Sequence, residues 1–385
     1  MIVGLVPFNQ LNSFVLTAIP IFIFMSEVIL HSGISDRLYT SVGRLFSHVP
    51  GGLMHSNVAS SALFAAVTGS SMAAMACIGS IAVPEMKKRG YNMRMALGST
   101  VTAATLGMMI PPSIPMIVYG AMTGTSVGKL FIGGVVPGIM ISLLFMSYIG
   151  VSAIISKERV GPREFVPWKE GLRGLWTLWP ILILMFLVLG TIYLGVCTPT
   201  EAAGIGANGA LLIAICLRKI NWKILERALA ETVKISSMIL FVFAGAVIFS
   251  LCLTNLGIPR ALVLMIKEAG LSPILVLLLI SLMYLILGCF LDGVSMMLAT
   301  LPITFPIIIA IGVDPVWFGV IMVLYLEMAC VTPPVGINLF VLQGVSGYPI
   351  DEIVRGAIPF FLLLIVALVI FILFPDIVLF LPSLV

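Results

Sequence analysis

The sequence predicts an all-α polytopic membrane protein, and three observations predict it. Of the 385 residues, 61% are hydrophobic and only 9% charged, where a soluble domain carries roughly 45–50% apolar and about 25% charged residues. Apolar runs recur along the whole length, with room for many helical crossings of roughly 20 residues each. The interruptions of these runs are Gly, Pro, Ser and Thr, and they come back at a fixed offset, so the chain divides into two related halves. Such a composition excludes a soluble enzyme and a disordered chain. A net charge of +4 is too small to imply a nucleic-acid partner.

Residues 11–31 form a first span, which contains Glu27. Residues 34–48 predict a short amphipathic helix at the membrane interface, with Ile34, Leu38, Val42 and Leu45 set against Asp36, Arg37 and Arg44. Residues 51–88 are apolar but interrupted at Thr68-Gly69-Ser70-Ser71, and by length they form either two crossings or a hairpin. The stretch 91–123 is broken at Pro111-Pro112-Ser113-Ile114-Pro115, and 130–155 is a clean span. A polar loop, 157–174, divides the chain. Spans at 175–194 and 198–217 follow, with a short basic linker at 218–227.

From residue 234 the layout returns. There is a span at 234–254, an amphipathic piece at 257–269, and an apolar stretch at 272–312 interrupted at Leu291-Asp292-Gly293. A broken span at 314–345 carries Thr332-Pro333-Pro334-Val335-Gly336 at its break, and 357–380 is the last span. Adding 222 places Pro84 on Pro306, Gly90 on Gly312, Pro111-Pro112 on Pro333-Pro334, Gly134 on Gly356 and Pro137 on Pro359. One offset that fits both breaks marks an internal duplication. The expected division is a first repeat at 1–156, a connecting loop with two helices at 157–233, and a second repeat at 234–385.

If the interrupted stretches 51–88 and 272–312 are re-entrant hairpins, each repeat crosses the membrane three times. The two intervening spans restore the starting side, so the second repeat inserts upside down, the inverted-repeat layout of many secondary transporters. Charge supports this independently: of the 20 lysines and arginines, all but Lys129, Arg260 and Lys267 then fall on the cytoplasmic side. Counting only one stretch as two true crossings spoils that bias.

Little else in the sequence points to chemistry. Cys77, Cys197, Cys216, Cys252, Cys289 and Cys330 are scattered and form no ligand set with His31, His48 and His55, so no transition metal is expected. The nearest match to a phosphate-binding loop, at Gly128-Lys129-Leu130, lacks the first glycine and the hydroxyl that binds magnesium. Trp168, Trp176 and Trp179 read as interfacial anchors. An intramembrane aspartyl protease would need two membrane aspartates, and only Asp292 qualifies.

The interruptions therefore carry the function. Backbone that leaves the helix at membrane depth is tolerated only inside protein or around a bound polar species. In the first half Thr68, Gly69, Ser70 and Ser71 at a hairpin tip would face the break from Gly107 to Ser113, which includes Ile110 and Pro112. In the second, Asp292, Gly293 and Ser295 would face Ala329 to Pro334, which includes Thr332. Converging hydroxyls and freed carbonyls suit a small cation such as sodium, and helix N-termini at the same place suit an anionic substrate. Ser70, Ser71, Ser113 and Ser295 are the candidates for touching that substrate. Glu27, Glu201, Asp292 and Glu327 lie in apolar surroundings, where carboxylates are costly and often functional. Glu201 can equally sit at a helix start and favour its dipole.

At these breaks the sequence resembles a known family, the large membrane subunit (DctM type) of tripartite ATP-independent periplasmic (TRAP) transporters. The resemblance is carried by Ala18-Ile19-Pro20-Ile21-Phe22, by Pro84 to Tyr91, and by Ile110-Pro111-Pro112-Ser113-Ile114-Pro115-Met116. It continues through Cys197-Thr198-Pro199-Thr200-Glu201-Ala202-Ala203 and Thr332-Pro333-Pro334-Val335-Gly336-Ile337-Asn338-Leu339-Phe340, in order over essentially the whole chain. It implies an elevator-type secondary transporter of the ion-transporter superfamily in the bacterial inner membrane. The implied cargo is a C4-dicarboxylate, sialic acid or a related carboxylate, with Na+ as coupling ion and no other cofactor. The implied partners are a small four-helix membrane subunit (DctQ type) and a periplasmic substrate-binding protein (DctP type). A stand-alone sodium–carboxylate symporter of the same architecture is the closest rival.

The resemblance maps one sodium site onto Thr68, Gly69 and Ser70 with Gly107, Ile110 and Pro112. A second pairs the other hairpin with Ala329, Thr332 and Pro334. Two positions depart from the family pattern: Ala74 stands where Asp is frequent, and Ala329 where glycine is usual. Family members often carry a further span ahead of the first one here.

Overall fold

Capping side chains and glycines set the helix limits in the computed structural model, which describes residues 2–33, 36–155 and 176–384. The polar loop 157–174, with Lys157, Arg159, Arg163, Lys169, Arg173 and Trp168, lies outside the described residues, as do Ile34, Ser35 and the side chains of Asp36 and Arg37. The described residues are helical with no strand.

The first half comprises α1 (Ile2–Leu11), α2 (Ala18–His31), α3 (Asp36–Leu45), α4 (Gly52–Thr68), α5 (Ser71–Lys88), α6 (Met93–Ala103), α7 (Leu106–Met109), α8 (Ile114–Thr123) and α9 (Val127–Ile155). In the middle lie α10 (Trp179–Tyr193) and α11 (Pro199–Cys216). The second half comprises α12 (Trp222–Asn255), α13 (Ile258–Glu268), α14 (Pro273–Gly288), α15 (Gly293–Ala310), α16 (Pro315–Cys330), α17 (Ile337–Ser346), α18 (Ile350–Leu373) and α19 (Asp376–Leu379). The order of a short surface helix, a helix pair, a broken helix and a long helix thus occurs twice along the chain. Six stretches among the described residues are long and apolar enough to cross a membrane: Met93–Thr123, α9, α11, α12, α15 and α18. The chain is a multi-pass membrane protein.

Two boundaries differ from the sequence pattern. The apolar run at 11–31 becomes α2 only at Ala18, because Asn12 to Thr17 form turns, with the Thr17 hydroxyl donating to the Phe14 carbonyl at 2.6 Å. Short polar side chains there offer the backbone local partners that compete with helix. The basic linker 218–227 is in large part the start of α12. Asn221 caps it by accepting the Ile224 N–H at 2.9 Å, and the helix runs unbroken from there. Glu201 is a capping residue: Thr198 accepts the Glu201 N–H while the Glu201 carboxylate accepts the Thr198 N–H at 2.8 Å. Losing this cap in Thr198→Ala is expected to cost about 1 kcal/mol, read as a lower thermal midpoint in detergent.

The centre of the molecule is α16, on which every residue from Val316 to Cys330 is buried. A helix apolar all round belongs inside a bundle, and α7, α8, α9, α14, α15 and α18 surround this one. Tyr325 stacks on Tyr284 with ring centroids 4.8 Å apart, and its hydroxyl meets that of Ser281 at 2.7 Å. The Trp317 indole N–H donates to the Phe371 carbonyl at 3.2 Å. Since lipid is as apolar as leucine, helices in membranes associate through close backbone packing at small residues. A Cβ on Gly98 of α6 would fall 1.9 Å from the Gly356 carbonyl oxygen of α18, and one on Gly134 of α9 would fall 2.6 Å from the Met109 carbonyl oxygen of α7. These contacts bind α9 and α18 to the broken helix α6–α8.

Candidate functional site

The first helix pair turns at Gly69. Its φ of +60° closes α4, and its N–H donates to the Ala65 carbonyl at 2.9 Å. Ser70 is extended and starts α5, its hydroxyl accepting the Ala73 N–H at 3.4 Å. Across from this turn, α7 ends at Met109, the chain runs extended through Ile110, and α8 begins behind the cap Ser113.

Turn and break are in contact. A Cβ on Gly69 would lie 2.5 Å from the Pro112 carbonyl oxygen, and one on Gly107 would lie 3.0 Å from the Ser70 carbonyl oxygen. Gly69, Ser70 and Ser71 are thus brought against Gly107 and Pro112, with Thr68 at the end of α4 just ahead of them. The Ile110 side chain turns away, toward Gly138 of α9. The Thr68 hydroxyl donates to the Phe64 carbonyl at 3.0 Å, which leaves its oxygen free to accept. Ser113 is fully buried and occupied locally: it donates to the Met108 carbonyl and accepts the Met116 N–H at 3.4 Å.

The second pair is built differently. Asp292 caps α15, its carboxylate accepting the Ser295 N–H at 3.1 Å. The turn meets the end of α16 through Gly288, whose Cβ would lie 3.0 Å from that of Ala329, and through Gly293, whose Cβ would lie 3.0 Å from Leu326 Cγ. The Val335 N–H donates to the Cys289 carbonyl at 3.1 Å. Thr332 is half-buried with its hydroxyl donating to the Met328 carbonyl at 2.6 Å, and Pro334 is exposed. Each break holds a cis proline bond, Pro111-Pro112 and Pro333-Pro334.

The two turn–break pairs also touch one another. The Ser71 hydroxyl donates to Oδ1 of Asn338, on α17, at 3.4 Å and lies 3.9 Å from Cys330 Sγ. Asn338 was legible as part of the Thr332 to Phe340 stretch that carries the family resemblance, and no spacing rule assigned it a partner. Another polar contact ties the first hairpin to the broken helix, where Asn57 Nδ2 donates to Thr100 Oγ1 at 2.7 Å.

The remaining acids separate by geometry. Glu27 is buried on α2 and lies 3.2 Å from His31 Nε2, one turn on. Glu327 is fully buried, and neither of its oxygens has a hydrogen-bond partner. No group of His, Cys, Asp and Glu among the described residues could hold a metal ion of that ligand class.

The fold resembles that of the Alcanivorax borkumensis YdaH transporter crystal structure, with a TM-score of 0.68 at 12% identity over 96% of this chain and 85% of that one. In sequence the chain is 39% identical over 381 residues to the C4-dicarboxylate TRAP transporter large permease protein DctM of Pseudomonas aeruginosa, covering 98% of this chain and 88% of that protein. It is 30% identical over 380 residues to the sialic acid TRAP transporter large permease protein SiaM of Vibrio cholerae, covering 97% and 87%. The model of the tripartite ATP-independent periplasmic transporter family, DctM component, matches residues 2–377. The chain belongs to that family and is a large permease component of a TRAP transporter.

Proposed function

We infer that this permease imports an organic acid across the bacterial inner membrane, driven by a sodium gradient. The observation that carries the reading is the contact of each hairpin turn with its break, Gly69 on Pro112 and Cys289 on Val335. Unwound carbonyls and hydroxyls gathered at such a place are oxygen ligands for sodium, and the helix starts beside them favour an anion. The first cation site is formed by Thr68, Gly69, Ser70 and Ser71 with Gly107, Ile110 and Pro112. The second is formed by Asp292 and Gly293 with Ala329, Thr332 and Pro334.

The names of the two relatives supply the substrate class. C4-dicarboxylates and sialic acid both carry a carboxylate, which supports an organic acid as the cargo. A carboxylate crossing low dielectric needs compensation, and sodium beside it removes the unpaired charge. The two hairpins enter from opposite faces as halves of an inverted repeat. The body of hairpins, broken helices, α9 and α18 carries the site across while the other helices stay fixed. A periplasmic binding protein delivers the acid, and a small four-helix membrane subunit completes the complex.

The test is reconstitution with the proteins encoded beside it, screening labelled organic acids with and without a sodium gradient. Uptake of at least one acid is expected only with sodium outside. Ser70→Val and Thr332→Val are expected to reduce that uptake by more than about tenfold while the complex still assembles, since each removes an oxygen ligand. Sodium-independent uptake, or unchanged uptake in both variants, would contradict the assignment.

A further inference from the structure

We propose that Asn338, together with the paired starts of α5 and α17, is the seat of the substrate carboxylate. The two helices lie side by side and begin at the same end: Ser71 bonds Asn338, and further along a Cβ on Gly79 would lie 3.3 Å from Leu342. The first-turn N–H groups of a helix have no acceptor within it. At α17 no side chain supplies one either, because the cap is Gly336, at φ +29°. One donor at each start is already met, the Ala73 N–H by the Ser70 hydroxyl and the Leu339 N–H by the Gly336 carbonyl at 2.8 Å, and the N–H groups ahead of them direct donors and positive dipole ends to one place.

Asn338 adds the decisive group. Its side chain is fully buried, its carbonyl oxygen is taken by Ser71, and its Nδ2 has no hydrogen-bond partner. A carboxamide has two N–H donors to place, and leaving them buried and unmet is costly. An incoming oxyanion meets that need. A sodium ion does not, since it requires acceptors.

The seat exists in one half of the molecule. Subtracting 222 from Asn338 gives Met116, and adding 222 to Ser71 gives Gly293, so the duplicated position has no polar pair. The seat also joins both cation sites. Ser71 follows the turn of the first, and Asn338 follows the break of the second. Sodium ordering either site thereby orders one side of the seat, which couples ion to acid.

The proposal rests on the carboxylate import proposed above. The test uses the complete transporter in proteoliposomes with labelled succinate or N-acetylneuraminate, whichever the wild type accumulates. Asn338→Asp keeps the size and replaces the donors with a negative charge, so KM for the acid is expected to rise at least tenfold. Asn338→Ser keeps one donor and is expected to raise it less. Thermal stabilisation by sodium alone, measured without acid, is expected to be retained in both. A KM within twofold of wild type for Asn338→Asp would overturn the proposal, as would loss of its sodium stabilisation, which would make Asn338 part of the cation sites. Wild type that accumulates no acid of the screen with sodium would instead defeat the import function, and the seat with it.

Discussion

Gly69→Ala is expected to reduce sodium-driven uptake about a hundredfold, whereas Gly312→Ala leaves it within about threefold of wild type. Both glycines have positive φ, +60° at Gly69 and +77° at Gly312. A non-glycine residue there costs of the order of 1 kcal/mol in either place. The surroundings separate them. The added Cβ at Gly312 meets nothing within 4 Å, while at Gly69 it lands 2.5 Å from the Pro112 carbonyl oxygen. That oxygen belongs to the backbone of the break and cannot rotate away, so turn and break must part. The overpacking term adds about 1–3 kcal/mol, and the sum is about two decades in rate or affinity. Initial uptake rates, normalised to monodisperse complex, measure the difference.

Gly98→Leu is expected to lower stability by about 3 kcal/mol or more, a larger effect than at any exposed glycine. At this crossing, backbone faces backbone: a Cβ on Gly98 would stand 1.9 Å from the Gly356 carbonyl oxygen, and one on Gly356 would stand 2.1 Å from the Arg94 carbonyl oxygen. No rotamer relieves such a contact, so α6 and α18 must separate along their length. Gly245→Leu on α12, where nothing lies within 4 Å, serves as the matched change and is expected to leave the thermal midpoint nearly unmoved. Detergent unfolding curves of the two variants give the comparison. Because this crossing fixes α18 to the broken helix, Gly98→Leu is also expected to abolish transport.

Helix limits were legible wherever a cap or a glycine stood at the boundary. Thr198, Ser272, Asp292 and Asp314 each accept a first-turn N–H, as their positions before apolar runs foretell. The turn at Asn12 to Thr17 was hidden because the run around it stays apolar, and the start of α12 because its charged first turns read as a linker. Hydropathy reports environment, and a helix leaving the membrane changes environment without changing conformation. Glu201 was ambiguous until its geometry showed the reciprocal cap with Thr198.

For the candidate site, the sequence indicated which segments depart from helix, through Gly69, Pro111-Pro112, Gly293 and Pro333-Pro334. It did not indicate how they meet. The contact of Ser71 with Asn338 joins residues 267 positions apart, and no periodicity encodes a pairing across that distance. The interlock of Gly98 with Gly356 was equally silent, since each glycine alone reads as a tolerated helix position.

Side-specific labelling tests the architecture most directly. In a chain whose native cysteines are replaced, Lys88→Cys stands at the base of the first hairpin and Glu268→Cys just ahead of the second, both at exposed positions. An impermeant thiol reagent is expected to reach position 268 from the periplasmic side only and position 88 from the cytoplasmic side only. Both positions labelling from the same side would contradict the inverted arrangement and the transport scheme built on it.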